Sequence, residues 1–257
     1  MVVPKIIFIV PYRDRSHEKQ HFSVYMKYLL EDLDPKQYEI YYSHQKDDRP
    51  FNRGATKNIG FLVMKDKYPD DYKNITFVFN DVDTMPFIKN TFNYDTKKGT
   101  IKHFFGFNFA LGGIFSIKGE DFEKCNGFPN YWGWGFEDNA IYSRAIEKGL
   151  SVDRSIFFDI KNRTDILQIS TNPLRTISND ATKQYGKKLP YGLNNINNLK
   201  YSIDGELINI TNFITESDHR KGIFYTQNIA KNKNLPFDIN GKNYHNIDKS
   251  FKLNRLF

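Results

Sequence analysis

The sequence predicts an α/β fold of Rossmann-like type, and three observations carry that expectation. Two runs, Lys5-Ile6-Ile7-Phe8-Ile9-Val10 and Ile75-Thr76-Phe77-Val78-Phe79, are apolar without alternation and rich in β-branched residues, as strands buried on both faces of a parallel sheet are. Helix-period stretches and a further strand lie between them, giving the order β-α-β. Both runs end in polar, charged clusters, and in open α/β sheets ligands bind outside the carboxyl ends of the strands.

The first run ends at Pro11 and is followed by Tyr12-Arg13-Asp14-Arg15, a loop whose two arginines suit phosphates or a base, or form a solvated charge cluster. Residues 17–31 read as a helix with Phe22, Tyr25, Met26, Leu29 and Leu30 on one face. Tyr38 to Ser43 is the next strand. Phe51-Asn52-Arg53-Gly54-Ala55 then opens a helix carrying Asn58, Phe61, Leu62 and Met64, and an aromatic on the loop before a helix N-terminus can stack on a base. After the strand at 75–79, Asn80-Asp81-Val82-Asp83-Thr84 places alternate carboxylates at a strand end, a pattern that suits a divalent cation and a diphosphate. Residues 87–105 read as polar and irregular, and residues 107–117 as a strand interrupted by Gly112-Gly113. Gly119 to Cys125 is a short helix, Ala140 to Gly149 a helix ending on its glycine, 151–170 a strand or two, and 171–198 either a long loop that orders over a substrate or a disordered one.

The stretch Asn130-Tyr131-Trp132-Gly133-Trp134-Gly135-Phe136-Glu137-Asp138-Asn139 holds both tryptophans, two glycines and two adjacent acids at the start of an amphipathic run. Two readings fit it. Aromatic faces and a carboxylate form a sugar pocket with a base, or a buried aromatic turn leads into a helix whose dipole favours the acids.

Composition narrows the classes. At 257 residues, 39% hydrophobic and 26% charged, the chain has room for a sizeable core in one large or two small domains. The division expected is 1–205 for the main domain and 206–257 for a C-terminal extension packed on it or trailing from it. The net charge of +7 is scattered, which suits a nucleotide and argues against a nucleic-acid track. The single Cys125 forms no internal disulfide and reads as packing. No apolar run reaches the roughly 20 residues that span a membrane. This points to a cytoplasmic or viral-factory-like setting, or to a lumenal one if a targeting segment lies outside this sequence. His17, His21, His44, His103, His219 and His245 show no paired metal-ligand spacing and read as surface or packing residues.

Taken in order, Pro11-Tyr12-Arg13-Asp14-Arg15, Phe51-Asn52-Arg53, Phe79-Asn80-Asp81-Val82-Asp83, Leu111-Gly112-Gly113, Gly127-Phe128-Pro129-Asn130 and Trp132-Gly133-Trp134-Gly135-Phe136-Glu137-Asp138 resemble the β-1,4-galactosyltransferase family, whose marks are an Asp-x-Asp and a Trp-Gly-Trp-Gly-x-Glu-Asp. Gly192-Leu193-Asn194 with Leu199 and Tyr201 is similar to a further block, so the resemblance runs from about residue 5 to 201.

It implies a GT-A fold over residues 1–205, a UDP-sugar donor, a glycan or glycoprotein acceptor, and transfer with inversion. It implies that Pro11, Arg13, Arg15, Phe51 and Arg53 hold the uridine half. Asp81 would face the ribose, and Asp83 a divalent cation, Mn²⁺ by analogy. Trp134 would lie between donor and acceptor, Gly113 would let the backbone approach the sugar, Glu137 would bind the sugars and Asp138 would be the general base. The sequence departs from the family in three places. Residues 160–190 lack the family's histidine metal ligand, Gln168 and Ser170 falling nearest. The third acid of the signature is Asn139, on the acceptor side. Ala110 stands where galactose-specific members have tyrosine, making room for an N-acetyl group, so UDP-GalNAc and UDP-GlcNAc join UDP-galactose as donors. A non-catalytic sugar- or nucleotide-binding module is the rival expectation.

Overall fold

The computed structural model describes residues 2–169, 173–216, 220 and 222–228. In chain order the elements are β1 (Ile6–Tyr12), α1 (Ser16–Leu29), β2 (Tyr38–Gln45), α2 (Arg53–Lys67), β3 (Thr76–Asn80), β4 (Thr84–Pro86), β5 (Thr100–Gly106), β6 (Ile114–Lys118), α3 (Gly119–Lys124), α4 (Glu137–Glu147), β7 (Ser151–Asp153), β8 (Phe158–Asp159), β9 (Ile166–Gln168), β10 (Leu174–Ser178), α5 (Asn179–Gly186), β11 (Asn197–Asp204), β12 (Leu207–Ile214) and β13 (Phe224–Asn228).

A mixed nine-stranded sheet runs in the order β11-β12-β2-β1-β3-β6-β5-β7, with β8 also paired to β5. Its centre is parallel, β12 to β2, β2 to β1 and β1 to β3. The chain reverses at β6, which is antiparallel to both β3 and β5. The unbroken apolar runs sit where they were expected. Ile7 and Ile9 of β1 enter one core with α2, while Ile6, Phe8 and Val10 enter the other with α1. A strand that feeds two cores has no polar face to alternate.

Four expectations are corrected. Within residues 87–105, read as irregular, β5 begins at Thr100 and runs to Gly106, because Lys102 finds the Asn93 carbonyl and His103 is fully buried among partners of its own. The strand expected over 107–117 is confined to 114–118, since Gly113 takes φ +66° and breaks the extended run. The long loop expected over 171–198 contains β10 and α5, and β10 is held by β13 nearly fifty residues later. The boundary expected at 205/206 falls in the turn of the β11–β12 hairpin, whose second strand bonds β2, so residues 207–214 belong to the central sheet.

Helix α2 fixes the loop that carries the aromatic signature. Asn52 caps it by accepting from Ala55 N–H and donates its own amide to the Asn130 carbonyl at 3.0 Å. Asn58 donates to the Phe128 carbonyl and to Asn130 Oδ1, and accepts from Phe128 N–H. Phe128 in turn packs edge-on to Phe79, with Phe115 and Phe122 around it, each such aromatic pair contributing roughly 0.5–1.5 kcal/mol beyond its buried area.

Candidate active site

Three acids from two distant segments meet at one arginine. Arg53, the first residue of α2, bonds Asp81 Oδ1 at 2.6 Å and Glu137 Oε1, and lies 3.6 Å from Asp138 Oδ2. Asp81 follows β3 directly, and Glu137 and Asp138 open α4, whose N-cap Phe136 adopts the left-handed region at φ +66°. The turn aims both carboxylates inward, and the α4 dipole favours their charge. Glu137 also accepts from Gly135 N–H at 3.0 Å. The Gly112-Gly113 turn joins the two halves: Asp81 N–H donates to the Gly113 carbonyl, and Leu111 N–H to the Asp138 carbonyl, both at 2.9 Å. A Cβ on Gly112 would stand 2.6 Å from Asp138 Oδ2, so this glycine is what lets the carboxylate lie against the turn. Gly113 is demanded by the fold itself, by its positive φ and by the Phe105 carbonyl.

The electrostatics follow from burial and an unequal count of charges. For Asp81, burial opposes ionisation, but Arg53 and Lys57 outweigh it and hold the carboxyl below its ordinary range. Asp83 goes the other way, raised by burial and by the charge of Asp81, with Arg175 and Arg15 opposing. Burial also raises Glu137, against the pull of Arg53 and reinforced by Asp138. Arg53 itself is raised well above its ordinary value, because three carboxylates overcome the cost of its burial.

The residues expected at the site divide accordingly. Arg53, Asp81, Glu137 and Asp138 converge, with Gly113 against them. Asp83 and Arg15 lie within electrostatic range of one another. Pro11 is buried in β1, and Arg13 is engaged by the Arg49 carbonyl and Asp14. The Phe51 carbonyl accepts from Gly133 N–H, tying the base-side loop to the signature. Trp134 is half-buried and its backbone N–H donates to the Thr176 carbonyl of β10 at 2.7 Å. Ala110 is buried beside the glycine turn, and Asn139 is half-buried in the first turn of α4. Trp132, read with Trp134 as a sugar face, belongs to the core. It stacks on Phe213 at 5.3 Å and donates to Thr215 Oγ1.

Sequence reasoning missed two cations. Lys57 bonds Asp138 Oδ1 at 2.9 Å, and its spacing of four from Arg53 on one helix face was the available signal. Arg175 of β10 reaches Asp83 electrostatically, delivered by the contact of β10 with the signature loop.

Among the described residues no three His, Cys, Asp or Glu side chains converge as a metal cage. Ser170, His219 and His245 lie outside the described residues. The donor set still suits a hard cation in one way: Asp83 is a half-buried carboxylate within electrostatic range of another carboxylate, with the Thr84 hydroxyl 3.2 Å away. One such carboxylate together with substrate phosphates is a common way to hold a small divalent ion.

One histidine supports the site from behind. His103 Nε2–H donates to the Phe105 and Gly112 carbonyls, and Nδ1 accepts from Arg154, so the ring is neutral and its tautomer fixed. Burial, helped by Arg154, pushes its pKa down to about 3. Because that value lies below the unfolded one, the neutral ring contributes its full stability above about pH 6.5 and loses about 1.4 kcal/mol per pH unit as pH falls toward the folded value. Denaturant titrations at pH 7 and pH 5 should therefore show a clear loss that a His103→Gln variant lacks. Equal slopes would mean the ring is not held neutral.

A model of the N-terminal region of glycosyl transferase group 7 matches residues 2–95, and one of the N-terminal domain of galactosyltransferase matches residues 101–167. The chain belongs to the β-1,4-galactosyltransferase family. It is 35% identical over 161 residues to mouse β-1,4-galactosyltransferase 1, which covers 58% of this chain and 39% of that protein. It is 34% identical over 160 residues to the xylosylprotein 4-β-galactosyltransferase of Caenorhabditis elegans, covering 58% and 53%. The chain thus spans about two fifths to one half of the length of these relatives. The catalytic domain of Drosophila β1,4-galactosyltransferase 7, in complex with xylobiose, superposes with a TM-score of 0.64 at 23% identity, over 85% of this chain and 97% of that one. That likeness shows the GT-A fold. A mutant of the same Drosophila enzyme has been solved with manganese, UDP-Gal and xylobiose. No helix among the described residues of this family member is long and apolar enough to cross a membrane.

Proposed function

We propose that the chain is the catalytic domain of an inverting glycosyltransferase that moves galactose, GalNAc or GlcNAc from a UDP-sugar to a hydroxyl of a glycan or glycoprotein. The observation that carries this is the Arg53 cluster. It draws acids from the strand-end motif and from the aromatic signature to one place beside a turn without side chains. A single in-line displacement needs a base, a cradle for the diphosphate and no protein nucleophile. Asp138 takes the proton as the acceptor O–H bond breaks. The acceptor oxygen bonds the anomeric carbon from the face opposite the diphosphate, the carbon–oxygen bond to phosphate breaks, and its electron pair leaves with UDP.

The remaining residues fall into place around that step. Arg53 holds Asp81 ionised and fixes both acids in place, with Asp81 toward the ribose and Glu137 toward the sugars. Phe51 and Pro11 flank the base, and Arg13 and Arg15 lie on the nucleotide side. Trp134 offers a partly open indole between donor and acceptor, near Asn139. Ala110 leaves room for an N-acetyl group. Arg53 and Lys57 face four acids, Asp81, Asp83, Glu137 and Asp138, so a diphosphate needs added positive charge. Arg15 and Arg175 supply part. A divalent cation on Asp83, Mn²⁺ by analogy, would supply the rest by neutralising charge that develops on UDP.

Incubating the protein with UDP-Gal, UDP-GalNAc and UDP-GlcNAc, with and without Mn²⁺, tests this. UDP release that depends on the cation and favours one donor is expected. No release from any donor, with no cation-dependent UDP affinity by calorimetry, would leave a non-catalytic nucleotide- or sugar-binding module.

A further inference from the structure

Lys57 is almost wholly buried, its side chain 2% exposed, within the packed face of α2 and with its ammonium 4.5 Å above the Phe128 ring. A charge is costly in such a place, and an apolar side chain of the same length would fill it at lower cost. What the ammonium does there is bond Asp138 Oδ1 at 2.9 Å. The other oxygen, Oδ2, is 3.6 Å from Arg53, beyond hydrogen-bond reach, and lies over Gly112. Asp138 keeps 21% of its side chain exposed, so the carboxylate is held from the protein side and open on the other. Its backbone is pinned as well, through Leu111 N–H.

We infer that Lys57 is the positioning residue of the base: by occupying Oδ1 it stops the carboxylate from rotating and presents Oδ2 to the acceptor hydroxyl. This rests on the reading of Asp138 as general base. In the step that follows, the acceptor O–H proton passes to Oδ2 and the acceptor oxygen bonds the anomeric carbon. The pair of the breaking carbon–oxygen bond leaves with the diphosphate. Lys57 keeps its proton throughout, and the neutral Asp138 carboxyl stays bonded to it through Oδ1.

The test compares Lys57→Met, which keeps the length and removes the charge, with Lys57→Gln, which keeps a donor for Oδ1. In steady-state transfer assays Lys57→Met should lower kcat on the order of 100-fold, the cost of a misplaced reacting group. The donor KM and the calorimetric affinity for UDP should stay near wild type. Lys57→Gln should recover part of the loss, and neither change should lower turnover further in an Asp138→Asn background. If Lys57→Met does not fold, Lys57→Gln alone and in that background decides, since a smaller kcat loss that vanishes with Asp138→Asn is still required. A loss expressed in KM, a loss that persists with Asp138→Asn, or wild-type turnover in Lys57→Met overturns the inference and leaves the transferase reading standing. A wild-type protein that transfers no sugar overturns both.

Discussion

Asp138→Asn is expected to abolish most transfer, lowering turnover about 10²–10⁴-fold, while calorimetric affinity for UDP is retained. The substitution keeps the shape of the side chain and its Oδ1 acceptor for Lys57, and it removes only the ability to take a proton. Arg53 keeps Asp81 and Glu137, so the cluster stays joined across the two segments. The amide leaves the buried Lys57 with a neutral partner in place of a charged one, so thermal unfolding is followed alongside turnover to separate lost chemistry from lost structure. Retained turnover would move the base elsewhere. Glu137 would be a poor substitute, since it is 3% exposed and already bonded to Arg53 and Gly135 N–H.

How much of this was legible in the sequence depends on the range of the forces involved. Strands β1 and β3 were readable because each carries its own apolar run, and α1 because its stripe repeats within itself. The Asp-x-Asp and the signature acids were readable as motifs at element ends. Strand β10 was not, because β13 stabilises it from far along the chain and no local pattern marks it. β5 was hidden by Lys102 and His103, whose polarity is satisfied in the fold by the Asn93 and Gly112 carbonyls and by Phe105 on the same strand. Trp132 looked like a sugar platform until Phe213 supplied a stacking partner from a strand expected to lie outside the main domain. Lys57 was passed over because a lone lysine in a helix ordinarily faces water. Its burial is decided by Phe128 and Asp138, neither near it in sequence.

Arg53→Met carries the largest expected effect on stability, a loss of about 3–5 kcal/mol in the unfolding free energy, because it strips the cation from acids that remain buried. Glu137 has only 4% of its side chain exposed, so water does not replace the guanidinium there without structural change, whereas Asp81, 24% exposed, is partly hydrated and loses less. The pH dependence gives the mechanism a sign. In the wild type Arg53 keeps the folded pKa of Asp81 low against its burial, so that contribution is present above the unfolded aspartate value near 3.9 and is lost as pH falls through the folded one. The variant has no such contribution to lose, and protonation relieves its stranded carboxylates, above all Glu137, which burial already raises. The gap between wild type and variant, measured by denaturant titration, should therefore be widest near neutral pH and close below about pH 4. A gap that stays constant with pH would show that Arg53 stabilises by packing alone, and that the three carboxylates are not bound together by its charge.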